Sequence, residues 1–425
     1  MHYQEMSRPE LEALHEKLKE EYRSAQALSL HLDMSRGKPE PAQLDLSAGL
    51  LTILNSDCSF TAENGMDCRN YGGLEGIPEA RRLFAEMLDI APDEIIVGGN
   101  SSLTMMYDAI ARCMLHGVDD RCPPWASQSP IKFLCPCPGY DRHFAICEYF
   151  GIGMIPIPMT PTGPDMDKVE HWVGSDPTVK GIWCVPKYSN PQGITYSDET
   201  VRRFAALRPA AADFRIFWDD AYAVHHLNGE GDHLLNIMDE CKARGSQDML
   251  YIFASTSKIS FAGAGVAMMA ASVDNIRYIT RCMAMQTISY DKLNQLRHVR
   301  FYKNLDGIRA HMLKHRAIIK PKFELMFEKF RELHAEGIAD FTEPNGGYFI
   351  ALMTLNGCAR RVVQLCREAG VTLTGAGACF PYGHDPYDSC LRIAPTYPPL
   401  EDLRTAADIL CLCVRLASVE QLLKD

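Results

Sequence analysis

Between residues 94 and 271 the chain repeats one unit, a short apolar run followed by a helical stretch. The apolar runs are 94–98, 131–137, 153–159, 179–185, 215–218, 250–254 and 266–271. Helical spacing fills 103–115, 141–150, 165–173 and 198–207 between them. Runs that are apolar without alternation belong to strands buried on both faces, and a sheet meets that condition when helices cover both its sides. The pattern predicts an α/β fold whose large domain, residues 51–300, holds a mostly parallel seven-stranded sheet.

The flanking segments read differently. The first ~30 residues have helical amphipathic spacing, and an extended segment is expected from 33 to 51, around Ser35-Arg36-Gly37-Lys38-Pro39. Pro78 opens a helix expected over 78–88. A long helical stretch is expected from 274 to 335, with Pro321 as a possible kink. After it come strand-like residues around Gly346-Gly347-Tyr348-Phe349-Ile350, a helix over 359–368, a strand over 390–393 and a closing helix over 400–423. These pieces predict a smaller α+β domain built from both termini, residues 1–50 and 301–425.

Charge and cysteine content narrow the function. A net charge of −11 disfavours nucleic acid and acidic membranes as partners. Nothing resembles a secretory signal, and no run of about 18 apolar residues occurs. The 16 cysteines include two C-x-C pairs, Cys135/Cys137 and Cys411/Cys413, but no C-x-x-C pair, so zinc and thioredoxin spacings are absent and no metal site is expected. Reduced cysteines filling core positions, in a cytoplasmic protein, are the expectation.

Sheets of this kind bind ligands beyond the carboxyl ends of their strands. The polar residues predicted there form a set. Gly98-Gly99-Asn100-Ser101-Ser102 precedes a helix and can cradle a phosphate, or simply cap the helix. Tyr140 in Pro138-Gly139-Tyr140-Asp141-Arg142-His143 can stack on a flat ring, and His143 can bond a carboxylate; both are also ordinary loop residues. Asn190 can donate its amide to a ring oxygen, or close an Asx turn. Asp219 follows an apolar strand and needs a cationic partner, which a pyridinium N–H, a metal or a helix cap would each satisfy. Tyr222 can bond a phenolic oxygen. Lys258, in Ser255-Thr256-Ser257-Lys258, would have a depressed pKa inside an apolar site, as a Schiff-base amine requires, or is a plain loop lysine. Together these residues would meet every need of pyridoxal 5'-phosphate.

Over nearly its whole length the sequence resembles the fold type I pyridoxal-phosphate aminotransferases. The matching pieces are Asn70-Tyr71-Gly72, Gly99-Asn100-Ser101-Ser102, Pro138-Gly139-Tyr140, Asn190-Pro191-Gln192-Gly193, Asp219-x-Ala221-Tyr222, Ser255-x-Ser257-Lys258 and Leu391-Arg392-Ile393. Longer stretches, including SRGKP, NYGGLEG, WDDAYAVHHL and LRIAPTYP, are similar to a bacterial, MocR-like subgroup of aspartate aminotransferases. The resemblance implies that Lys258 carries the cofactor and moves the substrate proton. Asp219 would pair with the ring nitrogen, buttressed by His143. Asn190 and Tyr222 would hold the ring oxygen, Tyr140 would stack on the ring, and Ser101, Ser102, Ser255 and Ser257 would bind phosphate. Tyr71 would reach the neighbouring subunit's phosphate, which implies a homodimer. Arg392 would bind the substrate α-carboxylate. Asn190 and the segment of Arg36, Gly37 and Lys38 would contact substrate.

One departure stands out. Many relatives carry a phosphate-binding arginine shortly after the lysine, but residues 261–266 contain none and no basic residue occurs before Arg277. The implied activity is amino transfer between L-aspartate and 2-oxoglutarate by a ping-pong route, with Arg36, Lys38 or Arg142 meeting the distal carboxylate. The alternatives are a transaminase for aromatic or other neutral amino acids, a β-elimination lyase, and a ligand-sensing regulator.

Overall fold

The computed structural model describes residues 2–424. Its strands are β1 (Leu32–Asp33), β2 (Ile95–Val97), β3 (Lys132–Cys137), β4 (Gly153–Thr160), β5 (Gly163–Pro164), β6 (Val179–Cys184), β7 (Arg215–Asp219), β8 (Leu250–Ser255), β9 (Ala267–Ala271), β10 (Ala339–Phe341), β11 (Ile350–Thr354), β12 (Val371–Thr372) and β13 (Cys390–Ile393).

The large sheet has the order β2-β9-β8-β7-β6-β3-β4-β5. Strands β8, β7, β6, β3 and β4 run parallel. Only β9, which is antiparallel to β2 and β8, and the edge strand β5 oppose them. Seven of these strands are the apolar runs of the sequence. The eighth, β5, is a two-residue hairpin return from β4 that is too short to leave a pattern.

Successive residues of the central strands serve opposite faces. Ile216, Trp218, Leu250, Ile252 and Ala254 enter one core, with the helices Pro78–Leu88, Met166–Ser175, Asp198–Ala205 and Ile237–Arg244. Phe217, Tyr251 and Phe253 enter the other, with Ser102–His116, Asp141–Tyr149 and Val273–Met283. All sixteen cysteines are free, and most of them fill core positions.

A second, three-stranded antiparallel sheet has the order β10-β11-β13. Its core joins Leu11, Leu18 and Tyr22 of the helix Arg8–Gln26 to the closing helix Leu400–Leu422. Parallel pairing of β1 with β12 ties the N-terminal segment to this unit. No helix among the described residues is long and apolar enough to cross a membrane.

Two expectations are corrected. Residues 33–51 are not extended throughout, because β1 gives way to a helix at Pro41–Asp45 and a tight turn at Ala48–Leu51. Glu40 and Gln43 form a capping box with Pro41 in the first helical position, a start signal that outweighed the polar, Pro-rich look of the stretch. The long helical stretch is three helices, Val273–Met283, Lys292–Tyr302 and Leu305–Ala335. Asp291 and Asn304 cap the second and third by accepting from Asn294 N–H and Gly307 N–H. Pro321 lies inside the third helix without ending it.

Candidate active site

A cavity of about 640 Å³ opens where the parallel strands end. Ser101, Ser102, Tyr140, Asn190, Asp219, Tyr222, Ser255, Ser257, Lys258, Arg36, Gly37, Lys38 and Arg392 all line it. His143 sits behind the wall, against Asp219. Tyr71 is not part of the cavity and stands 76% exposed on the surface.

Asp219 is the last residue of β7 and is buried. Its Oδ2 lies 3.1 Å from His143 Nε2, and the His143 ring stacks on Trp183 at 4.3 Å and 9°. Its Oδ1 has no hydrogen-bond partner. The amide oxygen of buried Asn190 is likewise unpartnered. Each such atom costs about 1–3 kcal/mol unless something else meets it, and both residues line the cavity.

Lys258 follows β8 in a tight turn. Thr256 O accepts from Ile259 N–H and Ser260 N–H, and Thr256 N–H donates to Val266 O. The carbonyl of Ile259 lies within 2.9 Å of His311 Nε2 and 3.0 Å of His315 Nε2, so a buried histidine pair grips the chain one residue past the lysine. Lys258 Nζ lies 5.2 Å from the Tyr222 ring centre and 5.8 Å from that of Tyr348. Loss of water lowers its pKa below the ordinary lysine value, opposed by the nearby Asp219 charge. An amine partly freed of its proton can act as a nucleophile or a base.

Ser101 and Ser102 stand at the N-terminus of the helix Ser102–His116, and Ser255 Oγ donates to Ser257 Oγ at 3.0 Å. Asn100 Nδ2 donates to Gly263 O, which folds the arginine-free 261–266 loop against this cup. Hydroxyls, glycine backbone and a helix N-terminus suit a phosphate. With the orphaned carboxylate oxygen, the uncommitted amide and the softened amine, the cavity fits a flat phosphorylated ring bearing a cationic N–H.

On the other side, Arg392 projects from β13 and pairs with Asp141 at 2.7 Å. The strip from Ser35 to Glu40 closes this side. Ala394 N–H donates to Met34 O, Thr374 Oγ1 to Ser35 O, and Thr396 Oγ1 to Lys38 O. Lys322 anchors the strip through Glu40 at 2.7 Å. Lys38 Nζ rests 4.4 Å over the Tyr397 ring, whereas Arg36 is exposed and makes no ion pair among the described residues.

Sequence reasoning missed Asp141, Thr374, Tyr348 and the His311–His315 pair. Asp141 was in view inside Pro-Gly-Tyr-Asp-Arg-His, but nothing in one dimension pairs it with Arg392, far along the chain.

The family described as aspartate amino-transferase matches residues 6–425. An aspartate aminotransferase of Corynebacterium glutamicum is 42% identical over 407 residues, covering 96% of this chain and 94% of that protein. The crystal structure of an aspartate transaminase from Corynebacterium glutamicum superposes with a TM-score of 0.96 at 41% identity, over 99% of each chain. The alpha-aminoadipate aminotransferase of Thermus thermophilus, solved with N-(5'-phosphopyridoxyl)-L-leucine, superposes at 0.73 over 92% of this chain and 93% of that one. At 18% identity that second structural match speaks for the fold alone.

Proposed function

The chain belongs to the aspartate amino-transferase family and is a pyridoxal-phosphate-dependent aminotransferase, and on that premise we propose that it passes the amino group of L-aspartate to 2-oxoglutarate. Bound pyridoxal phosphate supplies a ring that withdraws the electron pair left when the substrate Cα–H bond breaks. Lys258 carries the cofactor through Nζ and, once its amine is free, takes the Cα proton there. Asp219, oriented by His143, holds the ring nitrogen protonated through its uncommitted Oδ1. Asn190 and Tyr222 bond the ring oxygen, and Tyr140 covers the ring face. Ser101, Ser102, Ser255 and Ser257 hold the phosphate with the helix N-terminus behind them. Arg392 seats the α-carboxylate.

The observation that carries the substrate is the charge of the cavity wall. Apart from Lys258, the cations that line it are Arg36, Lys38, Arg142 and Arg392, in a chain whose net charge is −11, and of these only Arg392 has an anionic partner, Asp141, among the described residues. Cations therefore remain beyond the one that seats the α-carboxylate. Arg36, free of ion pairs on the covering strip, is the assigned seat of the distal carboxylate, with Lys38 steadied on Tyr397 beside it.

The test is a spectrum of the holoenzyme. The yellow protein is expected to bleach with L-aspartate, release oxaloacetate and recover its colour with 2-oxoglutarate. Arg36→Ala should shrink the preference for aspartate over alanine by about tenfold or more, the worth of one charge-assisted contact. Bleaching by aromatic donors and not by aspartate, or release of ammonia in place of a new amino acid, would overturn the assignment.

We also infer a homodimer, supported by exposed Tyr71 and by Met285 and Ile288, which stand out on the surface at 88% and 62%. The free cysteines support a cytoplasmic setting.

A further inference from the structure

Arg392 is a buried cation that already has a partner. Its side chain is 7% exposed, and Nη1 lies 2.7 Å from Asp141 Oδ1. Its other contacts are slight. Nε and Nη2 each stand 3.4 Å from Thr374 Oγ1, at the long end for a hydrogen bond, and the Phe349 ring packs 5.1 Å from Cζ. Asp141 is therefore the one anion paired with Arg392 among the described residues.

The two residues come from different parts of the molecule. Arg392 lies on β13 of the three-stranded sheet. Asp141 is the first residue of the helix Asp141–Tyr149 on the large sheet, directly after Tyr140. A guanidinium held in a dry wall is costly without an anion, so the pair is favoured whenever nothing else occupies the seat. Asp141 also has somewhere to go. Its side chain is 34% exposed, and both water and the positive end of its helix stabilise the carboxylate when Arg392 turns to another partner.

Resting on the reading of Arg392 as the seat of the substrate α-carboxylate, we propose that Asp141 is a built-in competitor for that seat. Its carboxylate holds Arg392 until the substrate carboxylate displaces it. The exchange swaps one carboxylate for another on the same guanidinium, and no covalent bond or proton moves. Binding therefore gains only the difference between the two pairings, so Asp141 sets how tightly any carboxylate is held. It also keeps Arg392 from drawing in adventitious anions between turnovers.

The test uses the holoenzyme and succinate, a dicarboxylate with no amine to transfer, titrated by calorimetry. Wild type, Asp141→Asn and Arg392→Lys are compared after each is shown to load cofactor and keep its circular dichroism. Asp141→Asn is expected to bind succinate about 5- to 20-fold more tightly, as removal of a half-buried competing charge should allow. Arg392→Lys should bind it at least about tenfold more weakly, having lost the forked geometry. A damaged fold does not tighten binding, so the predicted gain separates competition from a structural role. If Asp141→Asn loads poorly, Asp141→Ser takes its place in the same comparison. Unchanged or weaker binding without the Asp141 carboxylate, with Arg392→Lys impaired, overturns the competitor and leaves the role of Arg392 standing. Wild-type affinity in Arg392→Lys overturns the seat itself.

Discussion

Asp219 ends its strand with one carboxylate oxygen against His143 and the other unpartnered. That asymmetry, in a carboxylate lining the cavity, is a residue-scale sign of what the cavity holds, since a buried acid oxygen is costly unless a cation or donor meets it. Replacing Asp219 with Asn preserves shape while removing the charge, and it turns an acceptor into a group that can equally present N–H to the ring N–H. Cofactor affinity, followed by absorbance as pyridoxal phosphate is added to the apoprotein, is expected to fall about 10- to 100-fold, the worth of a lost charge-assisted bond. Affinity equal to wild type would remove Asp219 from the ring nitrogen. Asp219, Lys258 and Asn190 were legible in the sequence as a set, because each stands at or beyond the end of a continuous apolar strand, although each alone also reads as a cap, a loop lysine or a turn. Tyr348 and the His311–His315 pair carry no such mark. They reach the Lys258 turn from a loop and a helix remote in sequence, and only tertiary packing brings them there.

The elements that frame the cavity differ in how openly their sequence declares them. The parallel strands do so through apolar continuity, and their observed ends fall within two residues of the expected ones. The strip from Ser35 to Glu40 does not, because it is held by bonds from Thr374, Thr396 and Lys322 rather than by any local pattern. Gly37 shows why this strip needs its composition. A Cβ there would stand 2.6 Å from Phe349 Cζ, and Phe349 in turn packs under the guanidinium of Arg392. The close approach leaves no room for a side chain. Gly37→Ala should push Phe349 aside, disturb Arg392 and raise KM for the amino acid about tenfold, as a displacement of roughly an ångström in a positioning group can do. Steady-state kinetics check this, alongside a pyridoxal phosphate titration that should match wild type because the strip lies on the substrate side. Equal losses in both would mean that the strip supports the whole cavity and not the substrate side alone.

For the whole molecule, among the described residues the lining near Ser101, Ser102, Ser255 and Ser257 includes no cation besides Lys258, the other cations of the wall coming from the covering strip and the Arg142 and Arg392 side. The 261–266 loop, where many relatives carry an arginine, supplies only backbone to Asn100 and Asn294. Something from outside the chain's own cavity would strengthen the phosphate site, and in the proposed dimer Tyr71, which this chain leaves on its surface, would be the donor. Subunit exchange tests the arrangement directly. Lys258→Ala alone lacks the amine, and Tyr71→Ala alone lacks the tyrosine its partner needs. In a mixed dimer, the subunit bearing Tyr71→Ala keeps its own Lys258 and receives an intact Tyr71 from the Lys258→Ala subunit. One of its two sites is then complete, so mixing the two weak variants under exchanging conditions should restore activity toward half of the wild-type value per mixed dimer. If the tyrosine acted within its own chain, every site in the mixed dimer would lack one residue or the other, and activity would stay at the level of the separate variants. Native mass spectrometry of the mixture, showing mixed dimers without restored activity, would therefore refute the shared site even though the chains associate.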